Sequence, residues 1–165
     1  DDEDKPVPPG APGNLIGRSQ TMMSGYKNQP DKTHQGYWTD PDTGEVWQRM
    51  GDIGRVDEDG FVELVGRAKD MIISGGFNIY PSDLEAELAR EPEVVEAAAV
   101  GVPDPIYGEE VVAYVVLRPD AYLDEDAVID HCRARLARYK CPTKVLFVTQ
   151  LPVGATGKVL RRELR

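Results

Sequence analysis

The amino-acid sequence predicts an α+β fold, in which a small C-terminal domain with a short central sheet and flanking helices follows a β-hairpin and a β-rich segment. Nearly continuous β-branched apolar runs at 94–102, 110–117 and 144–148 are typical of strands that are largely buried by their neighbours. Two amphipathic stretches with candidate capping residues alternate with these runs and predict helices. Residues 1–50, by contrast, are rich in Gly, Pro, Asp and Asn.

The first 50 residues consist of short apolar pieces separated by turn signals, as in PVPPGAPGNL, YKNQPDKT and TDPDTGE. This pattern predicts short strands and loops rather than helix. Because no amphipathic helix is available to cover such strands, we expect little core here and the end of something larger. The chain opens with DDEDKP rather than Met, so we also expect an excised or processed piece.

Two apolar runs, FVELVG at 61–66 and MIIS at 71–74, flank the polar stretch RAKD. Their spacing predicts either a hairpin or a strand–turn–strand unit. The change in character at GRAKD, residues 66–70, predicts the boundary between the two parts of the chain.

The next segment, YPSDLEAELAREP, predicts a helix over about 82–90. Ser82 and Glu85 have the spacing of a capping box, and Leu84 and Leu88 share one helical face. The proline that follows is expected to end the helix.

A second helix is expected after Asp124, whose side chain is a favourable N-cap. Apolar residues follow at helical spacing and predict a single buried stripe. The stripe consists of Val128, Ile129, Cys132 and Leu136.

The net charge of −10 over 165 residues argues against a nucleic-acid binder. The charge is uneven, because residues 133–165 contain nine Lys/Arg and one Asp/Glu. This basic segment indicates either a surface that favours solubility or one that meets phosphate or an acidic partner.

The two cysteines, Cys132 and Cys141, lack C-x-x-C spacing, and only His34 and His131 are available to complete a metal site. We therefore expect no metal site and idle thiols in a reducing compartment. With no long apolar run and no signal peptide, the sequence predicts no membrane span and a cytoplasmic protein.

Asp52 and Arg67 stand at the two ends of one predicted strand–turn–strand unit. A carboxylate accepts hydrogen bonds from a vicinal diol and a guanidinium donates to its oxygens, so the pair is a candidate ribose site. The alternative is an ordinary turn aspartate and a solvated arginine.

Gly75 and Gly76 permit positive φ and close backbone approach. They predict either a tight turn before the helix or a backbone wall for a narrow ligand.

Lys158 ends LPVGATGK, where Gly154 and Gly157 leave the backbone unconstrained. It is either a solvated tail lysine or a mobile cation that neutralises charge developing on a phosphate. The chain carries no G-x-x-x-x-G-K-[ST] phosphate cradle.

Two stretches, MGDIGRVDEDGFVELVGRAKDMIISGGFNIYPSDLEAEL and LPVGATGK, together resemble the C-terminal part of the adenylate-forming enzymes. This superfamily includes acyl-CoA synthetases, adenylation domains of peptide synthetases, and luciferases. The resemblance spans about 47–165, and residues 14–50 resemble the end of the family's large N-terminal domain. SGGFNIYPSDLE is most similar to bacterial fatty-acid–CoA ligases.

The resemblance implies three segments: the β-rich end of the large N-terminal domain at 1–66, a hinge at 67–70, and a mobile C-terminal domain at 71–165. It implies an ATP-dependent carboxylic acid–CoA ligase, fatty acids being the expected substrates. Such an enzyme makes acyl-AMP and then the CoA thioester. The implied ligands are ATP or AMP, CoA, and Mg²⁺ held mainly by the large domain. The resemblance further implies that the phosphate loop and acyl pocket lie outside these 165 residues, so the chain alone is expected to be inactive.

The same resemblance implies a role for each candidate residue. Asp52 and Arg67 would bind the ribose, and Lys69 would be the hinge residue. Lys158 would bridge the carboxylate and the α-phosphate during adenylation, while the Gly75–Gly76 pair would line the pantetheine channel after domain rotation. Relatives are often controlled by acetylation of the matching lysine, so a lysine acetyltransferase acting on Lys158 is an implied partner.

Two alternative functions stay open at this point. One is an adenylation subdomain of a peptide synthetase, which a carrier domain would normally follow. The other is a non-catalytic module that docks a partner or a nucleotide.

Overall fold

The computed structural model describes all residues, 1–165, and divides them into two compact units. Unit 1 is Asp1–Lys69 and unit 2 is Asp70–Arg165. The sheets are mainly antiparallel and the helices few, so the predicted α+β class is confirmed.

Unit 1 is a four-stranded antiparallel sheet in which the long strand β3 pairs with the other three strands. Its elements are β1 (Gly13–Gly17), α1 (Pro30–Gln35), β2 (Tyr37–Thr39), β3 (Val46–Val56) and β4 (Val62–Arg67).

The helix α1 corrects the expectation that residues 1–50 contain strands and loops only. Pro30 occupies the first turn, where its fixed φ favours a helix and its missing N–H costs nothing. No residue of α1 is buried, so the sequence has no apolar periodicity there that would reveal it.

Unit 2 contains a five-stranded sheet in the order β6-β5-β8-β7, with β9 paired in parallel to β8. The runs at 94–102, 110–117 and 144–148 are strands, as predicted. The elements of unit 2 are β5 (Ile72–Ser74), β6 (Phe77–Ile79), α2 (Pro81–Leu88), β7 (Val94–Asp104), β8 (Gly108–Leu117), α3 (Glu125–Arg133) and β9 (Lys144–Phe147).

The runs at 61–66 and 71–74 do not form a hairpin with each other, and that option is wrong. The first run lies mostly in β4 and pairs with β3, while the second contains β5 and pairs with β6 and β8. The intervening residues form a single 3₁₀ turn, Ala68–Asp70.

The expected capping box of the first helix is also wrong. The helix α2 begins at Pro81, with Tyr80 as its N-cap residue and no side-chain cap. Glu85 instead accepts a hydrogen bond from the backbone N–H of Ala99 on β7, at 2.8 Å. Leu84 and Leu88 are fully buried, as their spacing predicts.

The second helix follows the prediction. Asp124 is the N-cap of α3, and its carboxylate accepts from the backbone N–H of Ala127 at 2.8 Å. The expected stripe faces the core, since Val128, Ile129 and Cys132 are buried and Leu136 packs against them.

The unit 2 sheet separates two apolar layers, because successive side chains of a strand point to opposite faces. On one face, Ala99 and Val115 pack with residues of α2 and α3. On the other, Val100 and Val112 pack with Leu151 and Leu164 of the C-terminal segment. The helices therefore lie on one side, as expected, and the last 15 residues cover the other.

Candidate functional site

The β3–β4 hairpin places Asp52 and Arg67 directly opposite each other in strand register. The Arg67 Nε lies 3.5 Å from the Asp52 Oδ1, and the side chains are 49% and 33% exposed. The carboxylate and the guanidinium thus lie side by side at the solvent-facing surface, where a further ligand could reach both. Because facing residues are not adjacent in the sequence, the antiparallel register is what brings this pair together.

A cleft of about 790 Å³ lies beside this pair within unit 1. Its walls include Arg49, Tyr26 and Lys69 in addition to Asp52 and Arg67. Most of the residues that line it carry polar or charged groups, which could bind the hydroxyls of a ligand.

A second ion pair in this cleft was not found by sequence reasoning. The Arg49 guanidinium donates to both oxygens of Asp4, with distances of 2.8 Å from Nη1 to Oδ1 and 2.9 Å from Nη2 to Oδ2. The hydrogen bond from Arg49 holds the pKa of Asp4 below its ordinary value. These residues are 45 positions apart, and no local pattern indicates such a pairing.

Gly75 and Gly76 form the two-residue turn between β5 and β6. Their φ angles are +56° and +82°, both in the left-handed region that this tightest class of hairpin turn requires. The backbone N–H of Gly75 donates to the carbonyl of Tyr107 at 2.9 Å, and a Cβ at Gly76 would meet no atom within 4 Å. The turn is therefore tied to the loop that contains Tyr107, with open space beside its second residue.

Aromatic side chains surround this turn, a feature that the sequence pattern did not reveal. Phe77 and Tyr139 stack with ring centroids 4.5 Å apart, and both rings are exposed. Tyr107 is exposed as well and lies next to Gly75. The pairing of Phe77 and Tyr139 depends on tertiary structure, because 62 residues separate them in the chain.

Lys158 lies on a closed hairpin rather than on the unconstrained loop that its glycines predict. Val153 and Val159 form a β-bridge, and the N–H of Gly154 donates to the Lys158 carbonyl at 2.8 Å. The N–H of Leu160 donates to the Pro152 carbonyl at the same distance. Lys158 itself is exposed, so a hydrogen-bonded turn presents its ammonium group to solvent.

The basic segment 133–165 is partly neutralised inside unit 2. Arg135 pairs with Glu87 at 3.2 Å and Lys140 with Asp83 at 2.5 Å. A surface devoted to phosphate would leave more of this charge unpaired.

Both cysteines are buried, as expected of idle thiols. Burial raises the pKa of the Cys132 thiol to about 12, so it is not a nucleophile near neutral pH. No group of three or more His, Cys, Asp or Glu side chains is arranged to hold a metal ion. None of the helices has the length and apolar character needed to cross a membrane.

Comparisons with known proteins identify the family of this chain. The family model of the AMP-binding enzyme C-terminal domain matches residues 83–158. The chain belongs to the adenylate-forming superfamily and carries its C-terminal domain, which confirms the resemblance inferred from the sequence.

Among curated relatives, acid–CoA ligases are prominent. The chain is 46% identical over 160 residues to the sulfoacetate–CoA ligase of Cupriavidus necator, covering 97% of this chain and 30% of that protein. It is 44% identical over 165 residues to the long-chain-fatty-acid–CoA ligase of Escherichia coli, covering 100% of this chain and 28% of that protein. The chain thus spans under a third of the length of these relatives.

Solved structures show the same similarity. The ATP-bound crystal structure of MatB from Rhodopseudomonas palustris matches with a TM-score of 0.88 and 39% identity, over 96% of this chain and 31% of MatB. The apo MatB structure matches over the same shares with a TM-score of 0.68 and 40% identity. Because the two scores differ for one protein, the conformation of the matched region differs between the ATP-bound and the apo structure of MatB.

Proposed function

We propose that this chain is the C-terminal part of an ATP-dependent carboxylic acid–CoA ligase, which forms an acyl-adenylate and then a CoA thioester. The observation that carries the proposal is the Asp52–Arg67 pair at the edge of a polar cleft. The names of the curated relatives supply the reaction class.

The pair suits a ribose of ATP or of the acyl-adenylate. The Asp52 carboxylate accepts from both hydroxyls of a vicinal diol, while the Arg67 guanidinium donates to their oxygens. Since the two groups already face each other at 3.5 Å, little reorganisation is needed when the sugar binds.

Lys158 is proposed to bridge the carboxylate of the acid and the α-phosphate of ATP during adenylation. A preorganised cation at a developing charge is worth about 3–4 kcal/mol of transition-state stabilisation. The closed hairpin supports this role, because an ammonium group on a rigid turn loses less entropy on binding than one on a loose tail. Acetylation of Lys158 would remove the charge and thus the interaction, which makes a lysine acetyltransferase a proposed regulator.

Thioester formation is proposed to use another face of the C-terminal domain. Lys69 ends unit 1 and would act as the hinge, and the Gly75–Gly76 turn would line the channel for pantetheine. The difference between the ATP-bound and apo structures of MatB supports a mobile arrangement in this superfamily.

The cofactors would be ATP, CoA and Mg²⁺. Since no acidic cluster of the chain is arranged for a metal ion, we assign Mg²⁺ to the phosphates and to protein segments outside these residues.

A fatty acid is our proposed acid substrate. The support is the 44% identity to a long-chain-fatty-acid–CoA ligase over the full 165 residues. A sulfoacetate–CoA ligase is slightly more similar, at 46% identity over 160 residues, so thioester formation should be assayed with both a long-chain acid and a short polar acid.

The test is Lys158→Ala in a ligase containing these 165 residues. We expect ATP–pyrophosphate exchange to fall by about 100-fold or more, while thioester formation from supplied acyl-AMP is largely kept. Lys144→Ala, at an exposed lysine of β9, is the matched control and should alter neither half-reaction. Equal losses in both half-reactions would overturn the role of Lys158.

The 165-residue chain by itself should catalyse no pyrophosphate exchange. If it did, the assignment of the phosphate loop and acyl pocket to other segments would be wrong. Transfer of the acyl group to a carrier domain instead of CoA would identify a peptide synthetase, and the absence of any adenylation by the complete enzyme would favour a binding module.

A further inference from the structure

The side chain of Arg161, three residues beyond Lys158, forms an ion pair with Glu85. Its Nη2 donates to Glu85 Oε2 at 3.0 Å, while its Nη1 lies 3.0 Å from Glu85 Oε1 without making a hydrogen bond. Only about a fifth of either side chain is exposed. A largely buried, charge-assisted hydrogen bond of this kind holds the two groups together.

Glu85 is itself locked to the sheet. Its Oε1 accepts from the backbone N–H of Ala99 on β7 at 2.8 Å. Burial raises the pKa of this carboxyl, and the Ala99 N–H and the Arg161 charge act against that rise. The Ala99 N–H and Arg161 therefore both favour the charged form of Glu85, and Arg161 contacts a carboxylate that is hydrogen-bonded to the sheet.

Arg161 also approaches the first residue of unit 2. Its Nε lies 3.8 Å from Asp70 Oδ2. Asp70 directly follows Lys69, and Glu85 belongs to α2, which follows the Gly75–Gly76 turn and β6. The guanidinium of Arg161 thus connects the segment that carries the Lys158 hairpin to α2 and to the first residue of unit 2.

The other contacts of the C-terminal segment with the sheet are mostly apolar. Leu151 and Leu164 are buried against the sheet, Val159 packs half-buried against the same cluster, and the Tyr114 hydroxyl donates to the Leu164 carbonyl at 2.8 Å. Arg161 adds a charged contact to Glu85 and Asp70, three residues beyond Lys158. Because apolar contacts are non-directional, loss of this ion pair should leave the hairpin freer to shift against the sheet.

We propose that Arg161, through Glu85, is a positioning residue that holds the Lys158 hairpin at a set place in the C-terminal domain. The predicted effect on adenylation, which we call the catalytic consequence, rests on the proposed function of Lys158. The predicted effect on the position of the hairpin, which we call the mechanical consequence, rests on the ion pair alone. Misplacing a catalytic group by about 1 Å can cost about 100-fold in rate.

The mechanical consequence is tested in the 165-residue chain with the double variant Arg161→Gln/Glu85→Gln. Replacing both partners avoids leaving a buried carboxylate unpaired. We expect hydrogen exchange of the Gly154 and Leu160 amides, which close the hairpin, to become about tenfold faster. Exchange of the Ala113 and Val115 amides of β8, neither of which donates to Glu85, should change little.

The matched control is Arg162→Gln, because Arg162 is the adjacent arginine and 81% exposed. It should leave hairpin exchange unchanged. If the double variant fails to fold, Arg161→Lys keeps the charge but loses the planar guanidinium that reaches Glu85, and should show an intermediate increase. Unchanged exchange in a folded double variant, or in Arg161→Lys when the double variant is unfolded, overturns the inference.

The catalytic consequence is tested in the ligase that contains this chain. The double variant should lower kcat for adenylation by about 10- to 100-fold, with KM for ATP nearly unchanged and thioester formation from supplied acyl-AMP retained. Equal loss of both half-reactions would show a general structural role and overturn the positioning role.

The two proposals fail in different ways. If Lys158→Ala has no selective effect on adenylation, the proposed function of Lys158 is wrong, and the exchange rates still report on the mechanical role of Arg161. If Lys158→Ala is selective but the Arg161/Glu85 double variant is not, the positioning role alone is wrong.

Discussion

Units 1 and 2 differ sharply in how they bury apolar side chains. Only Ile53 of unit 1 is a buried apolar residue, whereas the other nineteen buried apolar residues belong to unit 2. Unit 1 instead exposes large apolar side chains along and beside its strands β3 and β4. These are Val46, Met50, Val56, Phe61, Val62 and Leu64.

Unit 2 therefore has a complete apolar core, whereas the sheet of unit 1 leaves apolar side chains uncovered. Unit 2 stacks helices on one face of its sheet and the C-terminal segment on the other, so apolar side chains on both faces are removed from water. Unit 1 has one short helix without a buried residue, which leaves its strands unable to build two layers. The proposed ribose pair thus lies in unit 1, which buries little apolar surface. The proposed catalytic lysine lies in unit 2, whose sheet has an apolar layer on each face.

The largest effect is expected when the two units are produced separately. Residues 70–165 should fold cooperatively by themselves, and residues 1–69 should not, because a single buried apolar side chain cannot offset the entropy of ordering the chain. Urea denaturation followed by circular dichroism would measure both. A sigmoidal transition for residues 1–69, or none for residues 70–165, would contradict the comparison.

A smaller effect is expected for Leu84→Ala in the unit 2 core. Leu84 is fully buried on α2, and its truncation should lower the free energy of unfolding of unit 2 by about 3 kcal/mol. The paired control is Leu64→Ala in unit 1, where the side chain is 67% exposed and the change should be under about 0.5 kcal/mol. Similar urea midpoints for the two variants would show that the burial contrast does not set stability.

The smallest effect is expected at the start of α3. Asp124→Ala removes the acceptor of the Ala127 N–H and should lower the free energy of unfolding of unit 2 by about 1 kcal/mol. Asp126→Ala, two residues further along in the first turn, changes a charge without removing a cap and should cost less. The ranking of the two variants in urea denaturation decides whether the cap matters.

Elements with a strong local signal were predictable from the sequence. The three apolar strands, the Asp124 cap and the buried stripe of α3 each depend on residues within about ten positions of one another. The Asp52–Arg67 pair was also within reach, because a short strand–turn–strand unit brings its two ends together.

Features that depend on distant partners were not predictable. Glu85 has the spacing of a capping box, yet the buried N–H of Ala99 and the guanidinium of Arg161 offer it stronger partners. The glycines around Lys158 suggest a loose loop, yet the buried Leu151 and Leu164 anchor both ends of that segment and close it into a hairpin.

The α+β class, the order of the main strands and helices in unit 2, and the resemblance to the adenylate-forming superfamily could all be predicted from the amino-acid sequence. These follow from local periodicity and from motifs that are contiguous in the chain. The partners of several charged groups became visible in the folded structure alone: Arg49 with Asp4, and Arg161 with Glu85 and Asp70. An ion pair depends on separation in space, and 45 to 91 positions of chain separate these partners.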